Sequence, residues 1–576
     1  MRAGAGLFFL GVIMLGVSGF AAAVEPSVDE LVTARQWFES TLGGAQTVWL
    51  PDPGLEVAMN HDRVQKNARF GKPLHVGKET FTRGLFCHAP SVIVVHLPGP
   101  GRTFHAVAGI DVNEHTSGGQ GSCVFAVRVN DQDRFRSVLL RGTEPGVPVG
   151  VNLDGAREFV LAIDDGGDGI SCDQADWADA RVTLEDGSEI WLADLPLAGG
   201  PVCLGGGTPP YSFTYDGQPS NTLLSGWDTV RESTVLDENR TRHSITHTDP
   251  NSGLEVQCVA VQYHDFPTVE WTLYFRNAGT SDTPIIEGIQ ALDIAMIRGD
   301  LGEFVLHHAR GSDCKADDYG PLETKLEAGG TLHLAPSGGR GSNKVWPYFG
   351  IESTHNDGLL VAVGWPGQWA ADFARDAGNT LRITAGQGQT RFILHPGEEV
   401  RSPLIAIQFR DGDRYRAQNL WRRWMTAHSM PKPGGALPRP QLLGCSSRAY
   451  EEMIKADTAA QKMFIDRYLE EKIGIDYWWM DAGWYVQENG WPHVGTWEVD
   501  TKRFPGGLRP ICDYAHERGV KIVVWFEPER VAPGTWLTEN HPEWILGGAN
   551  GGLLNLGNPE AWDWLVNHID SLLTEQ

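Results

Sequence analysis

The sequence is poor in features that mark several large classes of protein. Basic residues are scarce, because 47 lysines and arginines stand against 73 aspartates and glutamates, giving a net charge of −26. A phosphate backbone requires a basic surface, so the composition argues against nucleic-acid binding. After the amino terminus no run of about eighteen apolar residues occurs, so no membrane association is expected once that terminus is removed.

Motifs of metal, nucleotide and serine-nucleophile chemistry are also missing. The chain has no H-E-x-x-H, no G-x-S-x-G and no Walker A loop. The pair His307-His308 stands alone in a strand-rich region and is interpreted as structural. The eight cysteines include no C-x-x-C pair, although a few could form disulfides, Cys123 with Cys172 for instance. We therefore predict no metal and no cofactor.

The amino terminus has the pattern of an export signal. Arg2 precedes an apolar run over residues 7–17, and three alanines follow at residues 21–23. The run is too short to span a bilayer and suits a signal peptide over residues 1–23. A buried or membrane-anchoring helix is the alternative. The signal peptide predicts a secreted or periplasmic protein.

Turn residues and tryptophan are abundant, with 69 glycines, 34 prolines and 21 tryptophans. Frequent turn residues are typical of β proteins, and large flat aromatics suit both protein cores and the apolar faces of sugars. A length of 576 residues suggests about four domains. Two stretches rich in proline and glycine, residues 199–210 and 431–440, divide the mature chain into three blocks.

The three blocks differ in the periodicity of their apolar residues. Alternating runs at short spacing predict a β-sandwich over residues 45–196 and a second, larger one over residues 208–430. Over residues 441–576, buried-type strands alternate with helical stretches, which predicts βαβ units and a parallel sheet. The predicted fold class is therefore multidomain, with two β-rich blocks before an α/β block.

Carboxylates and aromatic rings follow two strands of the predicted parallel sheet. Asp481 and Trp484 come after the second strand, and Trp525, Glu527 and Arg530 come at the end of the third. In parallel α/β folds, functional residues gather beyond the carboxyl ends of the strands. A sugar would find hydroxyl acceptors and a stacking face there, although an aspartate in this position can also cap a helix or pair with a cation.

These segments resemble glycoside hydrolase family 36, the melibiase-type α-galactosidases. The resemblance rests on blocks that fall in the family's order, at residues 479–485, 495–500, 503–505, 525–531, 541–544 and 554–559. It implies a β-supersandwich over residues 208–430 and the first three βα units of a (β/α)8 TIM barrel over residues 441–576. The first block is similar to the NPCBM module, a galactose-binding-like sandwich, through residues 81–89, 108–111 and 176–180.

The resemblance implies an α-galactosidase that acts on α-galactoside oligosaccharides or polysaccharides with retention of configuration. In that mechanism one carboxylate attacks the anomeric carbon and a second protonates the leaving oxygen, about 5–5.5 Å away. The aspartate matching Asp481 accepts hydrogen bonds from galactose hydroxyls, often beside a second aspartate that is Ala482 here. The other substrate-binding residues that we predict are Trp484, Trp525, Glu527 and Arg530.

The family's two catalytic carboxylates match no residue of this chain. The nucleophile belongs to a Lys/Arg-x-Asp-x-Asn segment on the next strand, which we expect beyond Gln576, so the chain is expected to be an inactive fragment of a longer protein. Glu527 and Glu529 flank Pro528 and are not expected to replace the pair. Two alternatives stay open: a glycan-binding protein without hydrolysis, and an α-N-acetylgalactosaminidase. The sequence does not predict the oligomeric state.

Overall fold

The computed structural model describes residues 24–43, 52–199, 209–298, 303–353, 358–451, 454–488 and 490–576. The predicted signal peptide, residues 1–23, lies outside them. None of the helices in these ranges is long and apolar enough to cross a membrane. The chain divides into two compact units, the first ending at Ser429 and the second beginning at Met430. The helices are α1 (Val28–Phe38), α2 (Ser220–Leu223), α3 (Arg414–Trp424), α4 (Thr458–Glu470), α5 (Arg509–His516), α6 (Trp536–Asn540) and α7 (Pro559–Glu575).

The first block contains two main sheets that contribute to one hydrophobic core. Trp177 is fully buried at its centre, with its ring edge-on to that of Phe125 at 5.1 Å. The seven-stranded sheet consists of Leu140–Arg141, Ser122–Val129, Glu158–Asp164, Ser91–His96, Gly54–Asn60 and Leu197–Gly199 in spatial order, with Gln132–Arg136 beside the second of these. The six-stranded sheet consists of Val147–Asn152, Gly101–Ile110, Gln174–Leu184, Gly84–His88 and Gln65–Lys66, with Glu189–Trp191 beside the third; Leu74–Val76 and Glu79–Phe81 form a separate hairpin.

The second block contains two larger sheets that contribute to a second core. Trp271 and Trp369 are fully buried there, and each donates its indole N–H to a backbone carbonyl. The seven-stranded sheet consists of Gln218–Pro219, Ser212–Tyr215, Ile286–Ile297, Thr380–Gln387, Trp369–Arg375 and Thr331–Leu334, with Arg391–Phe392 beside the third. The ten-stranded sheet consists of Asp228–Asp237, Arg240–Thr248, Leu254–Tyr263, Thr268–Asn277, Leu404–Arg410, Gly358–Gly364, Tyr348–Glu352, Val305–Ala309 and Pro321–Lys325, with Glu399–Arg401 beside the fourth.

Helix α1 precedes the first block in sequence but packs into the core of the second. The ring of Trp37 is buried 5.8 Å from the rings of both Trp271 and Phe409. Glu30, in the first turn of α1, accepts two hydrogen bonds from Arg416 of α3 at 2.5 and 2.8 Å. The sequence assigned α1 to no domain. Its rings belong to the second core, while Asp29 pairs with Lys66 and accepts from the backbone N–H of Leu197, both in the first block.

The third block has the predicted parallel sheet. Its strands are Leu443–Cys445, Tyr477–Met480 and Lys521–Val524, in that spatial order, and both pairings are parallel. Helix α4 connects the first strand to the second and α5 lies between the second and the third along the chain. A short hairpin, Arg530–Val531 with Gly552–Leu553, follows. The sandwich and partial-barrel arrangements themselves stay predictions.

The cysteine pairing considered from the sequence is not present. Cys123 is buried and Cys172 is partly exposed, and both are free thiols. The other cysteines in the described ranges are free as well, while Cys203 lies outside those ranges. Burial raises the pKa of the Cys512 thiol to about 11, which keeps it protonated and unreactive at neutral pH.

A buried carboxylate in the first block should make that block less stable as the pH rises. Asp173 is fully buried, and burial raises its pKa to about 6, with the nearby Asp168 adding to the shift. The backbone N–H of Ser122 donates to it at 2.7 Å, and His88 opposes the shift. A raised pKa favours folding below the ordinary value of 3.8, and this advantage is lost as the pH rises through about 6.

We therefore expect Asp173→Asn to raise the melting temperature well above pH 6 and to have little effect below about 3.8. Scanning calorimetry across this pH range measures the difference directly. A difference that is the same at every pH would show that the charge of Asp173 is not its cause.

Candidate functional site

The predicted site residues follow the carboxyl ends of adjacent parallel strands. Cys445 is paired with Trp479, and Met480 with Val524, so the three strands end along one edge of the sheet. Ser447 follows the first strand, Asp481 the second and Trp525 the third. This edge is where ligands bind in parallel α/β folds.

Asp481 is held in a fixed orientation with acceptor capacity remaining. The hydroxyl of Ser447 donates to one carboxylate oxygen, and the backbone N–H of Ala482 donates to the other at 2.8 Å. A carboxylate offers about four acceptor positions, so these two bonds leave room for two ligand hydroxyls. Asp481 is partly exposed, whereas the methyl group of Ala482 is buried, so Ala482 presents no polar group beside it.

The two predicted tryptophans occupy different environments. Trp484 is fully buried and donates its indole N–H to the carbonyl of Trp525 at 2.9 Å. It therefore fixes the backbone that carries Trp525 and presents no ring face to solvent in this structure. Trp525 is partly exposed, and its ring lies nearly parallel to that of Tyr485 at 6.4 Å and edge-on to that of Trp491 at 6.2 Å.

Glu527 and Arg530 form one ion pair in the segment after the third strand. Nε and a terminal nitrogen of Arg530 donate to the two oxygens of Glu527 at 2.6 and 2.5 Å. The same guanidinium lies 5.4 Å from the centre of the Trp491 ring. This paired geometry satisfies both oxygens of Glu527 once and fixes its carboxylate in place. The strand ends that carry Asp481, Trp525, Glu527 and Arg530 are called the rim below.

Sequence reasoning did not identify three residues that build this rim. Ser447 orients Asp481, and no local pattern marks a serine after a short strand. Trp491 accepts a hydrogen bond from Tyr485 through its carbonyl and places its ring against Trp525. Arg503 belongs to a block that carried the family resemblance, but its role was not predicted.

Arg503 ties the loop after the second strand to its surroundings. Its guanidinium donates to the carbonyls of Gly483, Tyr485 and Ala456, and Nε donates to Asp500 at 2.7 Å. Burial acts to raise the pKa of Asp500, but the hydrogen bonds from Arg503 outweigh it and leave that pKa below its usual value. The loop that carries Asp481 and Trp484 is thus held by one partly buried cation.

Tyr485 lies between the charged groups of the rim. Burial raises the pKa of its phenol above the usual value, and the negative charges of Glu527 and Asp481 raise it further while Arg530 lowers it. The phenol is therefore neutral and serves as a hydrogen-bond donor. Within the ranges that the structure describes, no cluster of three or more histidines, cysteines or carboxylates is placed to hold a metal ion.

Comparison with known proteins relates two segments of the chain to described families. The family model described as NPCBM/NEW2 domain matches residues 46–183, and the one described as Melibiase matches residues 452–576. Alpha-galactosidase Mel36A of Lactobacillus acidophilus is 21% identical over 310 residues, which covers 52% of this chain and 41% of that protein. An alpha-galactosidase of Escherichia coli is 31% identical over 112 residues, covering 18% of this chain and 16% of that protein.

Solved structures show the same fold over most of the chain. The glycoside hydrolase family 36 α-galactosidase AgaA from Geobacillus stearothermophilus, in complex with stachyose, matches with a TM-score of 0.52 at 17% identity, covering 64% of this chain and 54% of that chain. An α-galactosidase from Lactobacillus brevis matches with a TM-score of 0.52 at 15% identity, covering 64% and 51%. The chain spans about half the length of the relatives it matches or less. It therefore carries an NPCBM/NEW2 domain followed, after a strand-rich block, by a melibiase-family segment.

Proposed function

We propose that this protein is an α-galactosidase of glycoside hydrolase family 36 and that the rim around Asp481 binds the terminal galactose of its substrates. The observation that carries the proposal is the placement of Asp481, with unused acceptor capacity, at the strand edge beside Trp525 and inside the melibiase-family segment. The amino-terminal pattern supports a protein that acts outside the cytoplasm.

The residues of the rim would act on the galactose ring rather than on the reacting bond. Asp481 would accept hydrogen bonds from two hydroxyls, and the exposed part of Trp525 would pack against the apolar face of the sugar. The Glu527–Arg530 pair would offer a further donor and acceptor in fixed positions. We assign neither the nucleophile nor the acid/base of the retaining mechanism to a residue of this chain.

An assay with three aryl glycosides, run on the full-length gene product so that any segment after residue 576 is included, tests the proposal. We expect release of the aryl group from the α-galactoside and not from the β-galactoside, since the retaining mechanism is specific for the anomer that the site holds. Faster turnover of the α-N-acetylgalactosaminide would favour the alternative in which Ala482 leaves room for the acetamido group. Saturable binding of melibiose without turnover of any substrate would instead favour a glycan-binding protein.

A further inference from the structure

A cleft of about 980 Å³ opens in the second block, and no residue of the rim around Asp481 lines it. One wall is α3, and the other is formed by neighbouring strands of the ten-stranded sheet, Val305–Ala309, Pro321–Lys325 and Tyr348–Glu352 among them. A cavity of this size is within the range of ligand sites in proteins. Neither matched family segment covers these residues, since they lie between residues 183 and 452.

Aromatic rings line both walls of this cleft. On the sheet side, Trp346 and Tyr319 pack edge-on at 5.1 Å, and their side chains are 38% and 55% exposed. On the helix side, the ring of Trp421 packs against that of Tyr348, with the ring centres 5.3 Å apart. Tyr415 of α3 is 61% exposed. Open aromatic faces on two sides of a groove suit a ligand built of rings with apolar faces.

The side chains of fixed charge that line the cleft are all arginines, while burial lowers the pKa of the lining His308 and favours its neutral form. Three arginines and two histidines line it, and no aspartate or glutamate does so within the described part of the chain. This local charge is opposite to that of the protein, whose net charge is −26. The lining residues of this kind are His307, His308, Arg410, Arg414 and Arg422.

The cations differ in how far nearby carboxylates neutralise them. Arg410 is buried and donates to Glu352 at 3.0 Å, and Arg414 lies 3.6 Å from Glu323 at the edge of the cleft. Arg422 is exposed and donates to the neutral amide oxygen of Asn419 at 2.9 Å. The guanidinium of Arg422 is thus placed to pair with a carboxylate supplied by a ligand.

We propose that this cleft binds an acidic glycan, a chain of hexuronate residues. The pyranose faces would pack on Trp346 and Trp421, and a uronate carboxylate would pair with Arg422. A neutral glycan would use the rings but not the cation, and an acidic peptide would use the cation but not the rings. The proposal does not depend on the galactose site, because it involves none of that site's residues.

Calorimetric titration of the chain with a galacturonate oligosaccharide tests the proposal. We expect saturable binding that weakens as salt is added, because exposed ion pairs are screened. Arg422→Gln, which removes the charge, and Trp346→Leu, which removes the flat ring, should each weaken binding by about tenfold. The matched controls are Arg391→Gln and Trp562→Leu, at exposed residues outside the cleft, and they should leave the affinity unchanged.

Several outcomes would overturn the proposal. They are no binding, equal affinity for a neutral mannose oligosaccharide, full displacement by oligoglutamate, or unchanged affinity in both cleft variants. Far-ultraviolet circular dichroism of each variant verifies that it is folded. Asp481→Asn should bind the galacturonate oligosaccharide with unchanged affinity. Failure of the galactose-site assignment can therefore be distinguished from failure of this proposal.

Discussion

Asp481→Asn is expected to weaken the binding of melibiose by about 100-fold. Hydrogen bonds to a charged group contribute about 1.5–3 kcal/mol each, and the substitution converts two such bonds to neutral ones at best. Asparagine has the same size, but its amide nitrogen cannot accept a bond from Ser447 or Ala482, which now hold the two carboxylate oxygens. Calorimetric titration with melibiose measures the change.

A matched variant separates this effect from a general effect of charge. Asp563 lies exposed on α7, and Asp563→Asn should bind melibiose like the unchanged chain. The melting temperature of Asp563→Asn should equal that of the unchanged chain, and that of Asp481→Asn should fall by only about 2–4 °C, because one bond from Ser447 or Ala482 is lost at a partly buried site. Equal affinity of Asp481→Asn and the unchanged chain would contradict the assignment of the galactose site.

Arg503→Ala is expected to destabilise the second unit by about 1.5–3 kcal/mol. The substitution leaves the carboxylate of Asp500 without the guanidinium that holds it at 2.7 Å, and it removes the donors to the carbonyls of Gly483, Tyr485 and Ala456. The carboxylate of Asp500 stays partly desolvated after it loses its partner, so the substitution costs more than removing a fully exposed partner. Chemical unfolding, with hydrogen exchange of peptides that cover residues 477–486, measures the loss.

The control for this prediction is an exposed arginine in the same unit. Arg439 is 75% exposed and pairs with Asp476, so Arg439→Ala should cost less than about 1 kcal/mol. Arg503→Lys should recover part of the loss, since an ammonium can pair with Asp500 but cannot reach all three carbonyls. A cost for Arg503→Ala no larger than that for Arg439→Ala would show that Arg503 does not hold the loop.

The periodicity of apolar residues located most of the strands and helices. It misplaced some of their ends, which depend on local contacts. The apolar alternation over residues 91–97 predicts a strand, which is Ser91–His96, and the helical period over residues 458–472 predicts a helix, which is Thr458–Glu470. The apolar run over residues 520–526 predicts the third parallel strand, which ends at Val524 rather than at Phe526. Just after this end, the carbonyl of Trp525 accepts a bond from the Trp484 indole, an interaction that no pattern of apolar residues reveals.

The positions of the predicted site residues at the strand ends followed from the sequence, whereas their environments did not. A strand end rich in tryptophan and carboxylate predicted Asp481 and Trp525, and the structure places both at the sheet edge. The same pattern included Trp484, which is fully buried, because sequence does not show which face of a loop is covered. Ser447 and Arg503 act on residues more than fifteen positions away along the chain, Asp481 and Gly483 respectively. Local sequence patterns do not reveal such contacts, because they depend on the conformations of the loops.

The placement of α1 has a consequence for synthesis on the ribosome. Trp37 emerges early, but its partners Trp271 and Phe409 are made only after the whole NPCBM domain. The apolar side of α1 therefore stays exposed to solvent while the domain that follows it folds first. A deletion meant to remove only the NPCBM domain would have to keep α1 and rejoin it to residue 209, since cutting from the amino terminus would also take Trp37 out of the second core.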